Sequence, residues 1–409
     1  MLPACTSGFA LTQQENTKRL EDIRRNAEEM AGKVGVDSVL LVHANTACAT
    51  LAGLLCALEH SRTTYLVREK KFLPFPDLWP EENPWHICCN VKQDSPVSIW
   101  LQTSGTSGRP KWLAHHPTRL TSAIASGRER ARWLLTFEPA SFAGVQVMLS
   151  ALLGGHYLVC PPQSSNPSHF VELAAEHHVS HMSGTPTFWR SFLRACSSTR
   201  LYLKSITLGG EIADQNTLDE LSKKFPDAEI RHIYATTEMG VIFSVRDRLA
   251  GFPSEWIGRL LPHGPEGVTL GLSDQHTLLV SGPRASLGLS ESVWDTRDVI
   301  EISGQRAYFK GRADTLINVG GYKVFPEEVE EHILKLPIVS DVYVSAQRNP
   351  ITGSILTADI VVDGSEEESL ARVQIQEHLK SLPRHARPVL LRFKDQISLG
   401  QAGKKCRQS

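Results

Sequence analysis

Between residues 38 and 236 the chain alternates short β-branched runs with helix-length apolar runs, and several of the β runs end on small or polar residues. "SVLLVH" (38–43), the apolar run 46–59 and "TTYLV" (63–67) read as strand, helix and strand. "PVSIWLQ" (96–102) is a strand that ends directly on "TSGTSGRPK" (103–111). "RWLLTF" leads into the helical run 142–153; "HYLVCPP" follows, then a helix near 168–178, then "HMSGTPT". "SITLGGE" and "EIRHIYATTE" are two further strands with small or polar ends. Such alternation predicts an α/β fold built on open sheets and helices, with a ligand held along the edge where the strands finish. Upstream, Leu20, Ile23, Ala27 and Met30 mark an amphipathic helix over 17–33, and the Pro-rich 72–85 reads as a loop.

The character changes near "GRADTLINVGGYKVFP" (311–326). Beyond it the pattern predicts a helix opening at Pro326, strands over 338–346 and 355–362, a helix over 366–380 and a strand over 388–394. A chain of 409 residues exceeds one compact core. The expected division is a large N-terminal α/β domain, 1–313, and a small α+β domain, 314–409, joined by a hinge at Asp314.

Charge narrows the partners. A net charge of −1 gives no field to attract a polyanion, so nucleic acid is not expected. Eight cysteines without C-x-x-C or zinc-ligand spacing read as reduced thiols in a cytoplasmic setting. The first residues lack the basic and long apolar regions of a signal peptide, and the most apolar windows, 51–58 and 145–153, are too short for a membrane span. The adjacent histidines at 115–116 and 177–178 point to different faces of their elements, so no metal site is expected from them.

"TSGTSGRPK" combines glycines that let backbone crowd a ligand, hydroxyls that donate hydrogen bonds, and cations that neutralise anions. It is not a Walker loop, which ends in Gly-Lys-Ser/Thr; here Lys111 follows Pro110 and precedes Trp112. Taken alone it reads either as a phosphate cradle or as a solvated turn between strands.

Four further pieces appear with it in order: "YATTE" (234–238), "WDTRD" (294–298), "GRADTLINVGGYKVFPEEVE" (311–330) and "GKKCR" (403–407). Together they resemble the AMP-forming adenylating superfamily, which comprises acyl- and aryl-CoA synthetases, peptide-synthetase adenylation domains and luciferases. The resemblance implies ATP-dependent activation of a carboxylic acid to an acyl-adenylate with pyrophosphate release, followed by transfer to the thiol of CoA. It implies that Thr103, Ser104, Gly105, Thr106, Ser107, Gly108 and Lys111 clamp the pyrophosphate end of ATP. It also implies that Gly209, Gly210, Glu211 and Tyr234 wall the adenine, and that Asp298 with Arg312 holds the ribose. By the same likeness Thr237 meets the α-phosphate and Glu238 holds Mg²⁺. Lys404 then bridges the acid and the α-phosphate, and Gly320 and Gly321 line the thiol tunnel. On residue type alone, Tyr234 also fits a core aromatic, Arg312 a surface ion pair, and Lys404 a solvated terminal lysine beside Lys405.

The sequence departs from the family pattern in three places. The phosphate loop begins early in the chain, Arg297 stands where the family usually has glycine before the ribose-binding Asp, and "TFEPASFAGVQ" lacks the aromatic-His pair of many CoA ligases. The acyl pocket is expected from 137–144, 184–188, 209–211 and 239–241, with a small, apolar lining. That lining suits an aryl or short-to-medium acyl acid without an α-amino group. An acyl carrier protein could replace CoA as acceptor, and a non-catalytic nucleotide-binding scaffold is the reading from another class.

Overall fold

The computed structural model describes residues 10–13, 16–32, 39–68, 86–89, 97–103, 111–121, 124, 129–162, 165–196, 199–261, 267–282, 293–350, 353–362 and 368–397. Two mixed sheets carry the N-terminal part. In the first, strands Val39–His43, Thr64–Val67 and Ile99–Gln102 run parallel, with His86–Cys89 and Trp112–His115 added antiparallel at the edges. The second has eight strands. Its parallel centre comprises Glu229–Thr236, Ser205–Gly209, His181–Gly184, Arg132–Leu134, Tyr157–Cys160 and Ala10–Gln13, in that spatial order. Antiparallel strands Gly240–Val245 and Asn16–Arg19 close its two edges. The α/β architecture expected from the alternating pattern is the one observed.

The polar residues between strands and helices cap helices. Thr46, Ser141, Asn166, Thr185 and Asp214 each accept a backbone N–H from three residues on, opening helices Ala47–Leu58, Phe142–Leu153, Pro167–Glu176, Pro186–Ala195 and Gln215–Lys224. Ala47–Leu58 and Phe142–Leu153 are apolar almost all round because they share one core with the inner faces of both sheets. Pro186–Ala195 and Gln215–Lys224 cover the other face of the eight-stranded sheet, around Trp189, Phe192 and Leu218.

Two features differ from the sequence reading. The helix expected over 17–33 begins only at Leu20, because Asn16–Arg19 pairs as an edge strand with Ala10–Gln13. Between residues 252 and 312 lies an antiparallel sheet that the pattern did not announce. Its spatial order is Phe252–Pro253, Arg306–Arg312, Val293–Ser303, Thr277–Ser281 and Thr269–Leu272.

After Asp314 come a hairpin of Ile317–Val319 with Tyr322–Val324 and a three-stranded sheet of Val339–Asn349, Gly353–Val362 and Leu390–Phe393. Helices Pro326–Leu334 and Glu368–Leu379 pack there, and the apolar cluster they share draws only on residues 317–393.

Candidate active site

The opening stretch spans a hairpin. Strands Ile99–Gln102 and Trp112–His115 are antiparallel, and the Thr103 N–H donates to the Lys111 carbonyl at 2.8 Å. The Lys111 N–H returns a bond to Thr103 Oγ1 at 3.2 Å, so the two ends of the loop form a closed neck. Lys111 is exposed beside it. Seven residues, 104–110, separate the two ends of the loop. Ser104, Gly105, Thr106, Ser107 and Gly108 lie outside the described residues, and so does Lys404.

Strand Glu229–Thr236 delivers the next group. Tyr234 sits near its end, and its hydroxyl donates to Asp298 Oδ2 across a separation of 64 residues. Its ring stacks on Phe243 and Phe309, with centroids 5.2 and 4.8 Å away. The face assigned to adenine from the sequence is therefore shared with two phenylalanines. Burial and the Asp298 carboxylate push the phenol pKa well above its ordinary value, so it stays a neutral donor. A turn follows, fixed by the Met239 N–H donating to Thr236 Oγ1 at 3.0 Å. Thr237 and Glu238 occupy this turn half-buried, and their side chains have no hydrogen-bond partner among the described residues.

Asp298 and Arg312 face each other as register partners of two adjacent strands, and Arg312 Nη1 lies 3.6 Å from Asp298 Oδ1. The Arg312 guanidinium also forks onto Asp314, at 2.9 and 3.1 Å. Burial opposes its charge, but the Asp314 hydrogen bond and the Asp298 carboxylate outweigh it and raise its pKa. Tyr234, Asp298, Arg312 and Asp314 thus form one connected chain. Arg297, the departure noted above, sits at φ +66°, a left-handed conformation in which glycine is unstrained.

Gly209 ends its strand, and Gly210 takes φ +85°. Glu211 accepts the Thr187 N–H at 3.1 Å, at the first turn of helix Pro186–Ala195. Gly320 and Gly321, at φ +60° and +92°, make a two-residue turn in which both central residues need positive φ. Asn318 Oδ1 accepts the Gly321 N–H at 2.9 Å.

A small cavity adjoins the turn at 237–238. Phe142 and Met239–Val241, which the sequence assigned to the acyl pocket, line it; 184–188 and 209–211 are not among its described lining residues. Phe188 packs in an aromatic cluster with Phe170, Trp189 and Phe192, and Glu211 accepts the Thr187 N–H. The lining is also less apolar than expected. His115, Arg119 and Gln146 contribute to it, because strand Trp112–His115, which follows the stretch 103–111, brings His115 against Phe142 of helix Phe142–Leu153. The hairpin pairing was the missing information: a strand after the loop places 115 and 119 at the pocket.

A family model described as AMP-binding enzyme matches residues 20–274, and another, AMP-binding enzyme C-terminal domain, matches residues 328–404. The mitochondrial acyl-coenzyme A synthetase ACSM2 of Rattus norvegicus is 25% identical over 358 residues, 78% of this chain and 62% of that protein. The p-hydroxybenzoic acid–AMP ligase FadD22 of Mycobacterium tuberculosis is 28% identical over 303 residues, 66% of this chain and 43% of the relative. Tyrocidine synthase 3 of Brevibacillus parabrevis is 26% identical over 355 residues, 77% of this chain and 5% of that protein. The chain spans about three-fifths, or less, of the length of these curated relatives. Among solved structures, an anthranilate CoA ligase in complex with anthranoyl-AMP superposes with a TM-score of 0.73 at 16% identity, covering 97% of this chain and 92% of that one. The O-succinylbenzoate coenzyme A synthetase of Bacillus subtilis in complex with AMP gives 0.70 at 16% identity, covering 97% and 93%. These likenesses show a shared fold. Because the first family model alone runs over more than half of its residues, the chain belongs to the AMP-binding enzymes, the AMP-forming adenylating superfamily that its motifs resemble.

Proposed function

We propose that the protein adenylates a carboxylic acid with ATP and passes the acyl group to the thiol of CoA. The observation that carries this reading is the convergence of separated motifs. The Tyr234 hydroxyl meets Asp298, Asp298 meets Arg312, and Thr237 and Glu238, without a side-chain partner among the described residues, follow Tyr234 in the next turn. In this reading a carboxylate oxygen attacks the α-phosphorus, pyrophosphate leaves, and a mixed anhydride remains. A thiol then attacks the carbonyl carbon, loses its proton and expels AMP. Such chemistry needs positioning and charge stabilisation more than covalent help. Asp298, already accepting one hydroxyl, is suited to ribose; Gly209 and Gly210 offer close backbone beside the adenine. Thr103–Lys111 cradles the leaving pyrophosphate, and Lys404 neutralises charge at the α-phosphorus. Glu238 fits Mg²⁺ because its carboxylate has no competing partner among the described residues. The ion would draw negative charge off the phosphates.

The division at Asp314 is part of the same reading, with the small unit turning about it so that Gly320 and Gly321 reach the thiol after adenylation. We assign a cytoplasmic, reducing setting, in which Cys48, Cys56, Cys160 and Cys196 remain free thiols. The test is exchange of labelled pyrophosphate into ATP across a panel of aryl, short-chain and medium-chain acids. Acid-dependent, Mg²⁺-dependent exchange is expected, falling on the order of 10²-fold in Glu238→Gln. Folded protein that exchanges with no acid would return the chain to a nucleotide-binding scaffold.

A further inference from the structure

The cavity beside the turn at 237–238 has one polar wall. His115 closes strand Trp112–His115 with 5% of its surface exposed, and its Nε2 is buried without a hydrogen-bond partner among the described residues. Its ring packs against Phe142, with centroids 5.8 Å apart. A buried polar atom left unpaired costs about 1–3 kcal/mol, and native proteins keep such atoms where water or a ligand can satisfy them. Burial first, and the nearby Arg119 charge second, lower its pKa to about 4, so the imidazole is neutral near pH 7. It therefore offers a hydrogen bond and no counter-charge. χ2 of histidine is a soft torsion, so small ring rotations can turn a nitrogen toward the cavity.

Gln146, one turn along helix Phe142–Leu153, places one amide N–H on the Leu120 carbonyl at 3.0 Å, and its own carbonyl oxygen, without a partner among the described residues, is an acceptor at the same wall. The free space admits the centre of a water-sized group within about 20 Å³. A hydroxyl suits this setting: it is water-sized, and it both donates and accepts. An ammonium would meet no carboxylate among the described lining residues and would lie near the Arg119 cation.

We propose that the acid carries a hydroxyl group at the end remote from its carboxylate, and that His115, with Gln146, selects for it. This rests on the adenylation reading for the position of the carboxylate, beside Thr237 and Glu238. A carboxyl pocket lined only by apolar groups would discriminate weakly against hydroxylated acids, whereas a site with a buried unpaired nitrogen penalises the acid that leaves it unpaired.

The test compares 4-hydroxybenzoate with benzoate and 4-hydroxybutyrate with butyrate, with succinate as a dianionic probe. Binding is measured by calorimetry in the presence of ATP, and pyrophosphate release is measured separately. In at least one pair the hydroxy acid should bind at least about tenfold more tightly. His115→Leu should bring that ratio close to one, and His115→Gln, which keeps a donor and an acceptor, should restore part of it even if the leucine variant folds poorly. Equal binding within both pairs overturns the proposal. So does a preference for succinate that Arg119→Ala abolishes. Selective binding without pyrophosphate release would instead overturn the adenylation reading and leave the hydroxyl-selective cavity standing.

Discussion

Arg297 shows what residue identity can and cannot disclose. The sequence marks it as a departure, and the structure gives its consequence: a long side chain held at φ +66° directly before Asp298. Its backbone is pinned on both sides, with its N–H donating to Asp295 Oδ1 at 2.8 Å and its carbonyl accepting the Ala313 N–H at 2.8 Å. The left-handed conformation therefore persists at a cost of about 1–2 kcal/mol for an L-residue. The Arg297–Asp295 ion pair, 3.7 Å apart and half-exposed, offsets little of that. Arg297→Gly should raise stability by up to about 1 kcal/mol after allowing for the freer unfolded chain. Thermal unfolding should shift upward by a few degrees, and Arg297→Ala, which keeps a Cβ at positive φ, should not reproduce the gain. A lower melting temperature for the glycine variant would mean that the strain is not there. Other residues had two readable meanings that only geometry separates. Glu211, expected at the nucleotide wall, also accepts the Thr187 N–H, while Tyr234 is at once a packed aromatic and a donor to Asp298.

Elements were legible where burial is two-sided or periodic. The run 38–67 announced strand, helix and strand because each piece is buried enough to show its repeat. The antiparallel sheet over 252–312 was not, because its strands vary in length and residues such as Tyr308 and Ile302 face solvent. Helices Pro186–Ala195 and Gln215–Lys224 did leave signals, Thr185 with Pro186 and Asp214 with Leu218 and Leu221. Helix Phe142–Leu153 was read correctly, yet its anchoring was invisible. Ser141 Oγ donates to the Glu138 carbonyl at 2.7 Å and accepts the Gly144 N–H at 3.0 Å, drawing the helix start tightly onto the preceding turn. A Cβ on Gly144 would lie 2.1 Å from the Glu138 carbonyl oxygen and 2.9 Å from that of Pro139, both backbone atoms. Gly144→Ala should cost about 1–3 kcal/mol, seen as a lower denaturant midpoint with an unchanged slope. Because the same helix carries Phe142 and Gln146 to the cavity, affinity for the acid should fall as well. An unaltered midpoint would show that the turn over 138–141 gives way freely.

At the scale of the whole molecule, the two units meet through a buried charge cluster absent from every sequence motif. Arg190, on helix Pro186–Ala195, holds Asp214 at 3.0 Å and reaches Asp341 of strand Val339–Asn349 at 3.4 Å, with all three side chains 10% exposed or less. Thr187 Oγ1 accepts a further bond from Arg190 Nη2 at 3.0 Å. Burial opposes the guanidinium charge, but Asp214 and Asp341 more than compensate and raise its pKa. On the proposed rotation of the small unit about Asp314, Arg190 would keep Asp214 and Thr187, whereas Asp341 would give up its contact with Arg190. The contact therefore favours the arrangement seen here over any rotated one. Lys310 adds to the bias by bridging Glu301 at 2.8 Å and Glu328 on the small unit's first helix, although this pair is more exposed and weaker. Breaking one side of a buried pair typically costs several kcal/mol, enough to shift a two-state equilibrium by orders of magnitude. Asp341→Asn should loosen the interface while leaving the core of the small unit folded, since Asp341 lies outside that unit's apolar cluster. The variant should show a larger radius of gyration by small-angle scattering and faster cleavage near 312–316 by a probe protease. Arg190→Gln should do the same and add a loss of stability, because it strands Asp214 as well. If Asp341→Asn scatters and cleaves like the parent chain, the charge cluster does not hold the units together, and the apolar contacts around it must.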